Sequence, residues 1–101
     1  MTAQNPASNP FSLHGKVALV TGASTGLGQG IAIALAQAGA DVVGVARTST
    51  ADAQRGVTAA GRKFYGLHSD LEQRNAAANV VAQAIKLAGR VDILVNNAGI
   101  I

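Results

Sequence analysis

The octapeptide "TGASTGLG" at positions 21–28 places glycines at 22, 26 and 28 directly after the apolar run "KVALV". Gly22 would let the chain turn where a Cβ clashes, and Gly26 would bring backbone N–H groups close to an anion. A helix opening there adds unpaired amides and the positive end of its dipole, and Ser24 and Thr25 offer hydroxyls. This is equipment for holding a diphosphate without a lysine. A Walker-type nucleotide loop is excluded by spelling, because the only Gly-Lys pair, Gly15-Lys16, has Pro10 and Val17 where glycine and Ser/Thr belong. Spacing alone is weak with 12 glycines in 101 residues. What gives it weight is the context of a strand before and an amphipathic helix after. A tight turn with close helix–strand packing would use the same residues.

A second position with chemistry lies about 20 residues beyond the turn, where a carboxylate would accept bonds from a ribose 2′-hydroxyl. Ala46 stands there, followed by Arg47 and Thr48. Without a carboxylate nothing repels a 2′-phosphate, and a guanidinium binds one through two parallel N–H bonds. The local residues therefore lean towards NADP(H). The competing reading of Arg47 is a solvated loop cation. Further along, Asn96 and Asn97 close an apolar stretch, where side-chain amides need partners if buried. His14 and His68 belong to no constellation of metal-ligating types and are read as incidental, and no metal site is expected.

Four strand signals alternate with three helix signals. Residues 16–21 form a short β-branched run. Residues 26–38 carry Leu27, Ile31, Leu35 and Ala38 at helical spacing before Gly39. Strand two is read over residues 41–46, a weaker helix over 51–60 closed by Gly61, and strand three over 63–68. "SDLEQ" then opens a third helix, with Ser69 and Glu72 spaced as a capping box. Ala77, Val81, Ala84, Ile85 and Ala88 are assigned to its buried stripe and Gly89 to its stop. Strand four begins at Ile93 and runs to about Val95. Such alternation predicts an α/β doubly wound parallel sheet of Rossmann type, its N-terminal half, with strand order 3-2-1-4.

Composition agrees. Hydrophobic residues make up 49%, too many for a disordered chain, and aromatics 3%, which favours a core of Val, Ile, Leu and Ala. The formal charge of +3 comes from scattered basic residues, with no run suited to nucleic acid. With no cysteine there is no disulfide framework, and a cytoplasmic setting is the default. No apolar run approaches membrane-spanning length, so no membrane partner is expected. Residues 1–10 read as a mobile leader, anchored if at all by Phe11 and Leu13, and residues 11–101 as one domain.

The glycine turn after "VALVT", "SDL" at the end of strand three and "NNAG" after strand four together resemble the short-chain dehydrogenases/reductases, from about Phe11 onward. Within that family "FSLHGKVALVTG", "TGLGQG" and "LAQAGADVVGV" are most similar to the branch of 2-deoxygluconate 3-dehydrogenases and 2-dehydro-3-deoxygluconate 5-dehydrogenases. The resemblance implies an NAD(P)-dependent oxidoreductase interconverting a secondary alcohol and a ketone, with a sugar acid as one substrate candidate. It also implies a homo-oligomer, often a tetramer. It assigns cofactor contacts to Gly22, Ser24, Thr25, Gly26, Leu27, Gly28, Arg47, Thr48, Asp70, Leu71, Asn96, Asn97, Ala98 and Gly99. Asp70 would bond the adenine amino group, although a place at a helix N-terminus explains it too. The suspected branch leans to NAD(H), against the local lean to NADP(H). The family's catalytic Ser and Tyr-x-x-x-Lys are not found: Tyr65 lies in strand three and Ser69 stands four residues on. No catalytic residue is assigned, and these residues read as the first part of a longer enzyme, inactive alone. Another branch, such as a 3-oxoacyl carrier-protein reductase, and a non-catalytic NADP(H)-binding module stay open.

Overall fold

Successive side chains in a strand point to opposite faces, and in this chain that alternation sorts the core into two layers. In the computed structural model, which describes residues 11–97, β1 (Val17–Thr21) and β2 (Asp41–Ala46) lie at the centre of the sheet. Val17, Leu19, Val43 and Val45 pack on one face, and Val20 and Val42 on the other. Being covered on both sides, the two strands read as nearly unbroken apolar runs. β3 (Phe64–His68) and β4 (Ile93–Val95) flank them, giving the order β3-β2-β1-β4 with every neighbouring pair parallel. Val20 faces both Gly44 and Val95 in register, so the strands end level along one rim.

Helices α1 (Gly26–Gln37) and α2 (Ala51–Ala59) cover the Val20/Val42 face, and α3 (Ala76–Ala88) covers the Val17/Leu19 face. The chain steps outward from β1 to β3 and must then recross to reach β4. With crossovers of one hand, that reversal puts α3 on the opposite layer and leaves a crevice between β1 and β4 at the C-terminal rim. Gly39, Gly61 and Gly89 follow the three helices at φ +113, +79 and +89, the left-handed region that helix stops use.

Three expectations need correcting. The third helix starts at Ala76, well after the Ser69/Glu72 spelling. The Asp70 carboxylate accepts the Glu72 amide at 3.0 Å, closing a local turn that competes with a capping box. The helix begins only after Asn75, whose φ of 64 reverses the chain. Asp70 therefore does not sit at a helix N-terminus. The buried stripes are also displaced in part, with Ala84, Ala88 and Leu35 against the core as expected. In α3 the buried residues are Ala76, Val80 and Ala84, while Val81 and Ile85 are 38% and 47% exposed. In α1 they are Gly28, Ala32 and Ala36, with Leu27 67% exposed. The cause in α1 is contact rather than hydrophobicity: Gly28 lies against the Gly22 carbonyl and fixes the helix rotation, so the residues four and eight further on face the sheet.

At the opposite rim the strands are tied by charge. Asp92 accepts the Val17 amide at 2.9 Å and the Arg90 guanidinium at 2.7 Å, while its own amide donates back to the Val17 carbonyl. Asp41 accepts the Lys63 amide and pairs with Arg62 at 2.8 Å. Leu13 donates its amide to the Ala38 carbonyl, whereas Phe11, the other expected anchor, is 85% exposed. The expected leader lies outside the described residues. No helix among the described residues is long and apolar enough to cross a membrane.

Candidate functional site

The glycine turn leaves β1 at the C-terminal rim. Gly22 has φ 66, and Ala23 donates its amide to the Val45 carbonyl at 3.1 Å, so the turn is bonded to the end of β2. Thr25 precedes α1 with an extended backbone, and its side chain does not cap the helix. Instead its hydroxyl donates to the Gly22 carbonyl at 3.0 Å. The first turn of an α-helix has no intrahelical acceptors for its amides. Those of Gly26, Leu27 and Gly28 thus keep their donor capacity at the positive end of the dipole.

The glycines divide by cause. A Cβ at Gly28 would lie 2.0 Å from the Gly22 oxygen and 2.9 Å from Asn97 Nδ2, so internal packing alone demands glycine there. A Cβ at Gly26 would meet nothing within 4 Å. Among the described residues nothing requires glycine at 26, so the backbone there stands open at the mouth of the helix.

The crevice between β1 and β4 is braced by Thr21, the buried polar side chain among the described residues. Its hydroxyl accepts the Asn97 amide at 2.9 Å and lies 3.2 Å from Asn96 Oδ1, as a donor to it. Asn97 Nδ2 is 3.5 Å from the Gly22 carbonyl. Asn96 thus joins the end of β4 to β1, and Asn97 joins it to both β1 and the glycine turn. Ala98 and Gly99 lie outside the described residues. Thr21 carried no sequence signal beyond its place at the end of an apolar strand.

Beyond β2, residues 47–49 are exposed. The Thr48 hydroxyl donates to Ser24 Oγ at 2.9 Å, which links the two loops expected to share one ligand. Arg55, Arg62 and Arg90 each pair with an aspartate, but among the described residues Arg47 makes no ion pair. A hollow of about 390 Å³ opens between residues 47–50 and residues 66–68. Its wall includes Thr48, which bonds Ser24 of the glycine turn. At the end of β3, Asp70 is engaged with Glu72 and Leu71 packs against the α3-side core. His68, read from sequence as incidental, bonds the Arg47 carbonyl through Nε2 at 2.7 Å. No spacing rule could have flagged it, because the contact is across two strands. Among the described residues no three metal-ligating side chains lie together.

The chain is similar to known proteins in sequence and fold. Residues 16–101 match the family described as short chain dehydrogenase. The 2-dehydro-3-deoxy-D-gluconate 5-dehydrogenase of Dickeya dadantii is 52% identical over 93 residues, which are 92% of this chain and 37% of that protein. An Agrobacterium tumefaciens protein provisionally named a 2-deoxy-D-gluconate 3-dehydrogenase, whose structure holds NADP, is 47% identical with a TM-score of 0.79, covering 92% of this chain and 36% of that one. A Mycobacterium paratuberculosis short chain dehydrogenase bound to NAD is 30% identical with a TM-score of 0.80, covering 89% and 39%. The chain thus spans little more than a third of the length of the proteins it matches. A glycine turn fixed to the rim of a 3-2-1-4 parallel sheet, and a family match that begins at Lys16, lead to one conclusion: the chain belongs to the short-chain dehydrogenase family.

Proposed function

We propose that residues 11–101 are the cofactor-holding part of an NAD(P)-dependent oxidoreductase that interconverts a secondary alcohol and a ketone, with a deoxygluconate-type sugar acid as substrate. The observation that carries the reading is the glycine turn bonded to the sheet's C-terminal rim at the mouth of an uncapped helix, where Gly26 meets no atom of the described residues. Residues 26–28 would present amides to the diphosphate, with Ser24 and Thr25 beside them. Asn96 and Asn97 would border the same crevice, and by the family resemblance Ala98 and Gly99 would also contact the coenzyme. Asp70 keeps a carboxylate oxygen available for the adenine amino group, with Leu71 holding the loop to the core. When bound, the nicotinamide supplies or accepts the hydride, and the protein's part is positioning and proton handling. Tyr65 packs against the α3-side core, and no proton-transfer role is given to it. The sugar-acid assignment is supported by the relatives' named substrates.

Arg47 decides the coenzyme in this reading. An exposed guanidinium without an ion pair, next to Ala46 rather than a carboxylate, favours a 2′-phosphate, and NADP(H) is the preferred partner. The test is calorimetric titration of NADP⁺ and NAD⁺ into the full chain and its Arg47→Ala variant. The reading expects tighter NADP⁺ binding in the parent and its selective loss in the variant, by about tenfold or more for one charge-assisted bond. Equal losses for both coenzymes would refute the role of Arg47. No binding of either by the parent would refute the cradle.

A further inference from the structure

The turn after β2 is held from two sides, while among the described residues the Arg47 side chain it carries makes no ion pair. On one side, the Thr48 hydroxyl donates to Ser24 Oγ at 2.9 Å, tying the turn to the glycine loop. On the other, the β2–β3 ladder continues past the last paired residues, Ala46 and His68, through the Ser69 amide and the Ala46 carbonyl at 3.0 Å. One residue further on no amide continues the ladder. The His68 side chain takes over, its Nε2 at 2.7 Å from the Arg47 carbonyl. A carbonyl only accepts, so Nε2 carries the proton and donates.

We propose that His68 is a positioning residue for coenzyme selection: by holding the Arg47 carbonyl, it fixes the backbone from which the Arg47 guanidinium reaches a 2′-phosphate at the adenosine end. The inference rests on the reading of Arg47 given above and adds the residue that makes that arginine selective. An exposed arginine on a mobile turn loses rotamer and backbone freedom on capturing an anion. A turn already fixed at both ends loses less. The geometry fits this division of labour. His68 touches the backbone of residue 47 and leaves its side chain open, and the hollow between residues 47–50 and 66–68 has both His68 and Arg47 in its wall. Sequence order hides the link, since the two residues are 21 apart and on neighbouring strands.

The experiment compares two fragments that differ only in the group at issue: adenosine 2′,5′-bisphosphate and 5′-AMP. Each is titrated calorimetrically into the full chain and into H68A, H68Q and Arg47→Ala. The expected result is a parent that prefers the bisphosphate, with His68→Ala narrowing that preference by about three- to tenfold, the range for one neutral hydrogen bond. Affinity for 5′-AMP should stay within about twofold. His68→Gln places an amide donor at a similar reach and should retain most of the preference. A purely structural role would weaken both ligands alike, and that outcome overturns the proposal, as does an unchanged preference in His68→Ala. A preference lost in Arg47→Ala but untouched in both His68 variants removes His68 and leaves Arg47 standing. A parent with no preference removes both.

Discussion

Gly26 and Gly28 are two residues apart and spell the same motif, yet the structure gives them opposite reasons, and alanine at each separates those reasons. At Gly28 the new Cβ would lie 2.0 Å from the Gly22 oxygen and 2.7 Å from its carbonyl carbon. Ordinary carbon contacts sit near ~3.5 Å, so α1 and the turn must part by about 1 Å or more. Overpacking against backbone costs about 1–3 kcal/mol, and it moves the amides that face the ligand. Gly28→Ala should therefore lower both the melting temperature and nucleotide affinity. At Gly26 the Cβ enters open space with ordinary helical backbone. Replacing a helical glycine with alanine contributes up to about 1 kcal/mol of stability. Gly26→Ala should thus melt at the same or a higher temperature. It should still bind nucleotide less well, because the methyl occupies the path along which a diphosphate meets the amides. Losing one such charge-assisted bond, about 1.5–3 kcal/mol, is roughly a ten- to hundredfold loss of affinity. Thermal melts with coenzyme titration on both variants give the two numbers. A Gly26→Ala protein that binds NADP⁺ and NAD⁺ as tightly as the parent would refute the cradle, whatever Gly28→Ala does.

Three other perturbations test the frame around the site. Asp92 is held below the usual carboxylate range by its hydrogen bonds from the Arg90 guanidinium and then from the Val17 amide. A depressed folded value means its stabilisation is present above the unfolded value, near ~3.9, and is lost as pH falls through the folded one. Melts between pH 7 and 3 should show a shallower acid-side decline for Asp92→Asn than for the parent, and parallel declines would remove this role. Gly30 is an exposed residue inside α1 whose Cβ would meet nothing within 4 Å. Gly30→Ala should raise stability by up to about 1 kcal/mol in urea titrations, and a lower midpoint would show a contact at that surface. In β2, a Cβ at Gly44 would lie 2.6 Å from the Phe64 ring. Gly44→Ala should cost about 1–3 kcal/mol, and adding Phe64→Leu should recover part of it. Additive losses in the double variant would mean the ring is not the obstacle.

The sheet was legible in the residues because its two central strands are buried on both faces and say so. "VALVT" and "DVVGVA" are nearly continuous apolar runs between glycine-rich turns, and their length admits little besides parallel strands. The helix stops were equally plain, since Gly39, Gly61 and Gly89 have positive φ that other residues rarely adopt. Strand order followed from alternation and crossover hand. The helix faces were legible only in part: Ala84, Ala88 and Leu35 pack on the core as expected, while the larger residues beside them do not. A periodicity argument weights large side chains, which picked Leu27, Val81 and Ile85. The sheet instead receives Gly28, Ala32 and Ala36 from α1 and Ala76, Val80 and Ala84 from α3. Small residues let a helix approach the sheet closely, and their signal in a hydropathy pattern is low for the same reason.

The site divides along the same line. The packing demand on the glycine turn was readable, because only glycine can stand against the Gly22 carbonyl, whereas Gly26 meets no atom of the described residues. Contacts between loops were not readable. Thr21 bracing β4, Thr48 reaching Ser24 and His68 reaching Arg47 all join segments at least 21 residues apart. Their meeting depends on four strands ending at one rim, a property of the register rather than of any local spacing. The order of inference is therefore forced. Register puts the strand ends level, the level rim brings the loops together, and the loops settle which residues a ligand could touch. The asparagines show the consequence: each already bonds within the rim, Asn96 to Thr21 and Asn97 to Gly22. A coenzyme in the crevice would thus meet a β4 end held in place by the same strand, β1, that launches the glycine turn. Both walls of the crevice are held from one strand, which is the rigid support that a preorganised site needs.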